Sequence, residues 1–398
     1  MKVLYVSDVY FPRVNGVSTS ISTFRRELRA HGHTVHLIAP DYYMPSDDES
    51  EITRVPSRRL PLDPEDRMLK QGVVMRELER LRAENYDLVH IQTPFVAHYL
   101  GVKLARLLGI PCVETYHTFF EEYLHYYVPF LPKALMRGVA RRFSRMQCNR
   151  LDGIVVPSHP MLEVLRDYGV TAQAQVIPTG LEPESFVAGD GASFRAKYDI
   201  GAAQPVLLFV GRVAHEKNID FLLRMHVRLL QEVPDALLVI AGEGPAREHL
   251  RTLAAELGIV RNVRFIGYLD RHTELNDCYS AGDVFVFSSR TETQGLVLLE
   301  AMAQGTAVVS TAEMGTRDVL QDGVGVWVVP ETIEEFAAKT VRLLRDQEAR
   351  RILGAGGREY ARLWSASVQA ERMSAFYGEI ISRRRLAITA CAILAEQG

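Results

Sequence analysis

The sequence predicts an α/β chain built from two doubly wound parallel sheets in tandem. Short runs rich in Val, Ile and Leu recur with helical stretches between them. Most of those runs are continuously apolar rather than alternating. The pattern stops at a polar segment after Phe186 and starts again at Val206. A strand covered by helices on both faces loses the period-two alternation of a half-exposed strand, and strands that alternate with helices assemble a parallel sheet.

Taken in order, the first sheet draws on Lys2 to Ser7, Thr34 to Ala39, Leu88 to Gln92, Cys112 to Thr115, Gly153 to Pro157 and Gln175 to Pro178. The loop after its first strand, Tyr10-Phe-Pro-Arg-Val-Asn-Gly-Val-Ser, opens a helix near Val17. Gly16 there lets a ligand approach the backbone at a helix N-terminus, which favours an anion. Residues 186–204 read as a linker. The second sheet then takes Val206 to Val210, Ala236 to Ala241, Val263 to Ile266, Val284 to Phe287, Ala307 to Ser310 and Gly325 to Val328. Its first strand runs into Gly211-Arg-Val-Ala-His-Glu-Lys-Asn, which sets Arg212 and Lys217 at the mouth of the next helix. A phosphate would find two cations and a helix dipole there; an ordinary turn with solvated cations fits the same residues. The expected domains are 1–185 and 205–362, with a helix over 363–385 crossing back to the first and a tail at 386–398. Ligands of such sheets bind at the carboxyl ends of the strands, so two in tandem imply one cleft between them.

Composition removes several function classes. The 398 residues carry 46 basic and 49 acidic side chains, a net charge of -3, which is no polycation for nucleic acid. The four cysteines form no C-x-x-C pair, against a disulfide framework or structural zinc site. The apolar stretch Val3 to Val6 is too short for a signal-peptide core, and no apolar run nears the roughly 20 residues that span a bilayer. A cytoplasmic protein is expected. There is no G-x-G-x-x-G after the first strand and no P-loop; Gly242-Glu-Gly244 supplies only G-x-G. No D-x-D pair occurs, so no metal and no cofactor are expected, and protein cations and N–H groups must offset the charge of any departing diphosphate.

The densest constellation is Ser288-Ser-Arg-Thr-Glu-Thr-Gln-Gly-Leu-Val-Leu-Leu-Glu, a strand, a loop and a helix starting near Gly295. Glu292 falls in the loop beside the N–H groups of Thr293 to Leu296, and Glu300 on the second helical turn. A salt-bridging or capping Glu300 in a buried helix fits the spacing too. With Asn15-Gly16-Val17, Tyr116-His117, Pro178-Thr-Gly-Leu-Glu-Pro-Glu-Ser-Phe, Gly211-Arg212, Glu216-Lys217 and Ala241-Gly-Glu-Gly-Pro, this E-x7-E pair resembles the retaining GT-B glycosyltransferases of family 4 along nearly the whole chain. The resemblance implies two Rossmann-like domains facing across a cleft and a nucleoside diphosphate sugar as donor. It implies that Arg212 and Lys217 hold the diphosphate, Glu292 contacts the hexose, Glu300 contacts the ribose, and Gly16, Gln294, Gly295 and Leu296 line the donor site. By the same resemblance His117 lines the sugar side near the anomeric carbon. Glu114-Thr-Tyr-His-Thr-Phe-Phe-Glu-Glu-Tyr and Arg290-Thr-Glu-Thr-Gln-Gly are similar to the diacylglycerol glucosyltransferases, although many members carry Gly-Phe-Gly where this chain has Thr293, Gln294 and Gly295.

Leu131 to Arg150 contains six basic residues and no acidic one. At 100° per residue Leu131, Leu135, Val139, Phe143 and Met146 form one stripe, and Lys133, Arg137, Arg141 and Arg145 another, as in a helix lying on an anionic membrane. A core-facing helix with a solvated basic face has the same pattern. Tyr123, Tyr126, Tyr127 and Phe130 precede it as interfacial side chains. The expected activity is retaining transfer of a hexosyl group, glucose from UDP-glucose, to a hydroxyl such as that of diacylglycerol, on the inner face of a membrane. Three alternatives stay open: a transferase using GDP-mannose or another donor on a soluble or polysaccharide-precursor acceptor, a sugar-nucleotide epimerase of the same fold, and a non-catalytic nucleotide-sugar-binding protein.

Overall fold

The apolar runs of the first half become β1 (Lys2–Val6), β2 (Thr34–Pro40), β6 (Leu88–Ile91), β7 (Cys112–Thr115), β8 (Gly153–Val156) and β9 (Ala174–Val176). Three short strands, β3 (Ile52–Val55), β4 (Ser57–Arg59) and β5 (Arg67–Leu69), join them without having been expected from the sequence. They lack an apolar run: β3 sets Thr53 and Arg54 between Ile52 and Val55 at the sheet edge, and β4 and β5 carry Arg58, Arg59 and Arg67 in a separate antiparallel pair. The computed structural model describes residues 1–13, 15–43, 51–59, 67–117, 133–270 and 273–396. Among these the chain divides into two units, Met1–Thr179 with the residues from Ala366 onward, and Gly180–Ser365.

In the first unit a seven-stranded sheet runs β3-β2-β1-β6-β7-β8-β9, every neighbouring pair parallel. The central strands β6, β7 and β8 are buried at each residue, which is why they show no period-two alternation; His90, Glu114 and Thr115 are buried with their apolar neighbours. One face packs against the helices Val96–Leu108, Lys133–Cys148 and His159–Asp167; the other takes Gly16–Ala30 and the C-terminal helix Ala366–Glu396. That last helix takes in residues 386–396 of the stretch expected as a tail. A Cβ at Gly153 would lie 2.8 Å from both Ile380 Cδ1 and Phe376 Cζ, so glycine on β8 lets the helix settle onto the sheet. A buried polar chain fixes its register: the Tyr377 hydroxyl lies 2.9 Å from the Tyr5 hydroxyl and 2.5 Å from His90 Nδ1, and His90 Nε2 lies 2.7 Å from Thr115 Oγ1. Burial holds the His90 imidazole well below the usual histidine range, and so neutral.

The second unit carries β10 (Val206–Val210), β11 (Leu237–Ala241), β12 (Val263–Gly267), β13 (Val284–Phe287), β14 (Ala307–Ser310) and β15 (Val326–Val328) in the parallel order β12-β11-β10-β13-β14-β15. The segment 186–204, read as a linker, contains the helix Gly191–Lys197, capped by Asp190 accepting from Ser193 N at 2.9 Å. Its Phe194 and Ile200 join the second core. The chain enters and leaves this unit side by side, with Leu181 N donating to Trp364 O at 2.8 Å.

Candidate functional site

At the end of β10 the second unit builds a tight loop. Gly211 turns the chain at φ 154°, and the loop that follows is joined backbone to backbone with the loop after β11: Gly211 N to Ala241 O at 3.0 Å, Val213 N to Glu243 O at 2.9 Å, Ala246 N to Val213 O at 3.0 Å. The approach leaves no room for side chains. A Cβ on Gly242 would sit 1.9 Å from Gly211 O, and one on Gly244 2.3 Å from Val213 O. Gly242-Glu-Gly244 is therefore a packing motif that positions Arg212, rather than a dinucleotide fingerprint.

On that loop the Arg212 side chain is 67% exposed, and its guanidinium lies only loosely beside Glu216, at 3.9 Å. Lys217 points elsewhere. Its ammonium donates to Glu292 Oε2 at 2.6 Å, and both side chains are four-fifths or more covered. Asn218, at φ 55°, ends the turn and stitches the loop to the end of β13: its Nδ2 donates to Ser288 O at 3.2 Å, and Ser288 Oγ donates to its carbonyl at 3.0 Å. Ser289 Oγ reaches Glu216 O at 3.4 Å. The roles of Asn218, Ser288 and Ser289 were not foreseen, because each acts on a segment about 70 residues away. The only sequence signal was their place next to Lys217 and at a strand end.

The Glu292 loop is held from behind. Gly315 N donates to Glu292 O at 2.8 Å, and a Cβ on Gly315 would lie 1.9 Å from Thr293 O. Gln294 is buried, and Gly295 at φ 87° starts the helix Leu296–Ala303, whose first turn has no side-chain cap. An uncapped N-terminus leaves N–H groups for a ligand oxygen. Glu300, one turn deeper, is buried and accepts the Tyr279 hydroxyl at 2.8 Å.

In the first unit, Asn15 caps the helix Gly16–Ala30 by accepting from Ser18 N at 2.8 Å, and among the described residues nothing lies within 4 Å of where a Cβ of Gly16 would project. His117 follows β7, its Nε2 3.3 Å from Gln92 Oε1. An amide oxygen only accepts, so Nε2–H donates and Nδ1 is left as an acceptor. Burial pushes the His117 imidazole down to about 4. It is thus a neutral acceptor for a hydroxyl at neutral pH. Gln92, also unforeseen, keeps a buried Nε2 without a partner among the described residues. Beside it Asp8, at the end of β1, accepts from Ala97 N at 2.7 Å and from Thr93 Oγ1 at 3.1 Å; burial still pushes its carboxyl up to about 6.

The helix Lys133–Cys148 turns a different face inward from the one its apolar stripe suggested. Ala140, Ser144, Gln147 and Cys148 are buried, with Tyr116 OH 2.9 Å from Ser144 Oγ and Gln147 Nε2 donating to Pro94 O at 2.8 Å. Val139 is 53% and Met146 42% exposed, and Arg142 and Arg145 are exposed with them. Arg141 donates to Asp167 O at 2.8 Å and lies over the Tyr168 ring. The side chains of Lys133, Leu135 and Arg137, and the whole of Tyr123, Tyr126, Tyr127, Phe130 and Leu131, lie outside the described residues. No helix among the described residues is long and apolar enough to cross a membrane.

Against known proteins, the family described as "Glycosyltransferase Family 4" matches residues 14–185, and "Glycosyl transferases group 1" matches residues 191–360. The chain is 33% identical over 334 residues to an alpha-monoglucosyldiacylglycerol synthase of Streptococcus pneumoniae, across 81% of this chain and 74% of that one. It is 30% identical to a GDP-mannose-dependent alpha-mannosyltransferase of Mycobacterium tuberculosis, across 80% and 81%. Among solved structures, sucrose-phosphate synthase of Thermosynechococcus elongatus aligns with a TM-score of 0.77 at 22% identity, covering 96% of this chain and 100% of that one, a likeness of fold.

Proposed function

Because this chain belongs to the group 1, family 4 glycosyltransferases, we propose that it transfers glucose from UDP-glucose, with retention, to the hydroxyl of a membrane lipid of the diacylglycerol kind. The observation that carries the donor half is the Lys217–Glu292 contact at 2.6 Å. It brings a cation suited to phosphate and a carboxylate suited to sugar hydroxyls to one point, next to an uncapped helix N-terminus. Donor binding then exchanges partners: the diphosphate takes Lys217 and Arg212, and the hexose hydroxyls take Glu292. As the glycosidic bond breaks, negative charge grows on the diphosphate, and the two cations with the first N–H groups of Leu296–Ala303 stabilise it. Glu300, buried and accepting the Tyr279 hydroxyl, is the group this reading assigns to the ribose. No metal is assigned a part, since the chain has no D-x-D pair.

The lipid acceptor is supported by the streptococcal relative and by Val139 and Met146, which stay exposed beside Arg142 and Arg145. On this reading the protein is peripheral to the inner face of a membrane. His117, neutral and with Nδ1 as acceptor, hydrogen-bonds a hydroxyl beside the reacting carbon. A second reading, GDP-mannose as donor, is favoured by the mycobacterial relative. Membership of a transferase family leaves the epimerase and non-catalytic alternatives without support. The test is a matrix of UDP-glucose and GDP-mannose against diacylglycerol vesicles and soluble sugars, with the anomeric configuration of the product read by NMR. UDP-glucose with the lipid should be fastest and give the α-anomer. Faster transfer from GDP-mannose, or to a soluble sugar, would overturn the choice of donor or of acceptor.

A further inference from the structure

Outside the groups assigned to transfer, the second unit brings His215, Asp220 and His249 to one point. His249 Nε2 lies 2.7 Å from Asp220 Oδ2, the two imidazole rings are 5.2 Å apart between centroids, and one ligand atom of each residue lies within 4.8 Å of the other two. Among the described residues it is the only cluster of three such donors. We propose that these residues form a binding site for a zinc ion, two imidazoles and one carboxylate with water completing the tetrahedron.

Donor type and placement both favour it. Two histidines and a carboxylate are a common zinc donor set, with bonds of about 2.0 to 2.2 Å that put the donors about 3.4 Å apart. His249 Nε2 and Asp220 Oδ2, at 2.7 Å, have to part slightly and the His215 imidazole has to swing in, and both are open to such side-chain movement because His215 and His249 are exposed and the Asp220 side chain is about one-third exposed. The backbone beneath is already set. His215 rides on the loop after β10, Asp220 lies in the first turn of the helix Ile219–Leu230, and His249 in the first turn of Arg247–Glu256. The first loop and the one leading into Arg247–Glu256 are joined by the Val213–Glu243 and Ala246–Val213 hydrogen bonds, and Asn218 in its left-handed conformation fixes the turn between His215 and Asp220. Little chain entropy remains to be lost on binding.

One ion would tie the loop carrying Arg212 and Lys217 to two helices at once. Only the significance of that stiffening for the donor rests on the reading above; the site itself does not. The experiment is titration of the full chain with zinc chloride, followed by calorimetry and by amide hydrogen exchange. One zinc should bind per chain at micromolar concentration, raise the thermal midpoint and slow exchange across 211–217. His249→Ala and Asp220→Asn should each lose that equivalent and the slowed exchange while matching the wild-type melt without zinc. If one variant melts lower without zinc, the other carries the comparison. A wild-type chain that ignores micromolar zinc, or variants that bind as many ions as wild type and protect 211–217 as well, would overturn the site. Neither outcome bears on whether the protein transfers glucose.

Discussion

Lys217 and Glu292 hold each other at 2.6 Å, so changing either alters what is left for the donor. With Lys217 taking the diphosphate as proposed, Lys217→Ala should remove a charge-assisted hydrogen bond worth about 1.5 to 3 kcal/mol and weaken UDP binding in calorimetry by about 10- to 100-fold. Glu292→Gln acts the other way on the nucleotide: it releases Lys217, so UDP should bind as tightly or tighter while turnover falls. Weaker UDP binding in Glu292→Gln would refute the exchange of partners. Asp8 carries a pH signature. Its carboxyl sits at about 6 instead of the ordinary 3.8 because burial disfavours the charged form. Below the unfolded value both states hold the proton and nothing is lost. As pH rises towards 6 the unfolded chain releases it first, so folding stability falls, and the cost is complete above about 6. The stability of Asp8→Asn relative to wild type should therefore increase by about 3 kcal/mol between about pH 4 and pH 6.5 and then level off. Denaturant melts that stay parallel across this range would contradict it.

At the level of the element, the helix Lys133–Cys148 exposes apolar side chains beside cations. Its core contacts run through Ala140, Ser144, Gln147 and Cys148, which leaves Val139 and Met146 at the surface with Arg142 and Arg145. Each cation near an anionic bilayer contributes about 1 kcal/mol, so Arg142→Glu with Arg145→Glu should weaken binding to anionic vesicles by about 30-fold or more. Half-molar salt should release the wild type, since attraction is screened over ~10 Å already at 0.1 M. Arg141 is a poorer choice, because its contacts to Asp167 and Tyr168 are structural. Sedimentation with vesicles decides the matter, and undiminished binding of the double variant would make this face an ordinary one.

For the whole molecule, the chain leaves the first unit after Thr179 and returns at Ala366. The second unit is continuous and its core is built from its own residues. One face of the first sheet, by contrast, depends on Met373, Phe376, Tyr377, Ile380 and Ile381 from the returning helix. Five large side chains at about 2 kcal/mol each amount to ~10 kcal/mol, as much as the net stability of a typical domain. Residues 180–365 expressed alone should melt cooperatively, and residues 1–179 alone should not, by circular dichroism and calorimetry. Adding the 366–396 segment as a separate peptide should restore folding of the 1–179 fragment. A cooperative melt of 1–179 without it would show that the sheet does not need the helix.

The sequence by itself determined the two parallel sheets in tandem and their main strands, since burial on both faces writes itself locally as runs such as Val206 to Val210 and Val284 to Phe287. It also placed Arg212, Lys217 and Glu292 in the loops between strands and helices and Glu300 on a second helical turn, because those positions follow from element boundaries. The tertiary structure decided what stands opposite what. That Lys217 meets Glu292, that Gly242 and Gly244 exist for the backbone of Gly211 and Val213, that Gln92 orients His117, and that 186–204 packs instead of linking are all contacts between distant segments. The inward face of Lys133–Cys148 belongs with them. Helical periodicity marks an apolar stripe, but which stripe is buried depends on the neighbours available to cover it, here Tyr116 and Pro94, and no local pattern records them.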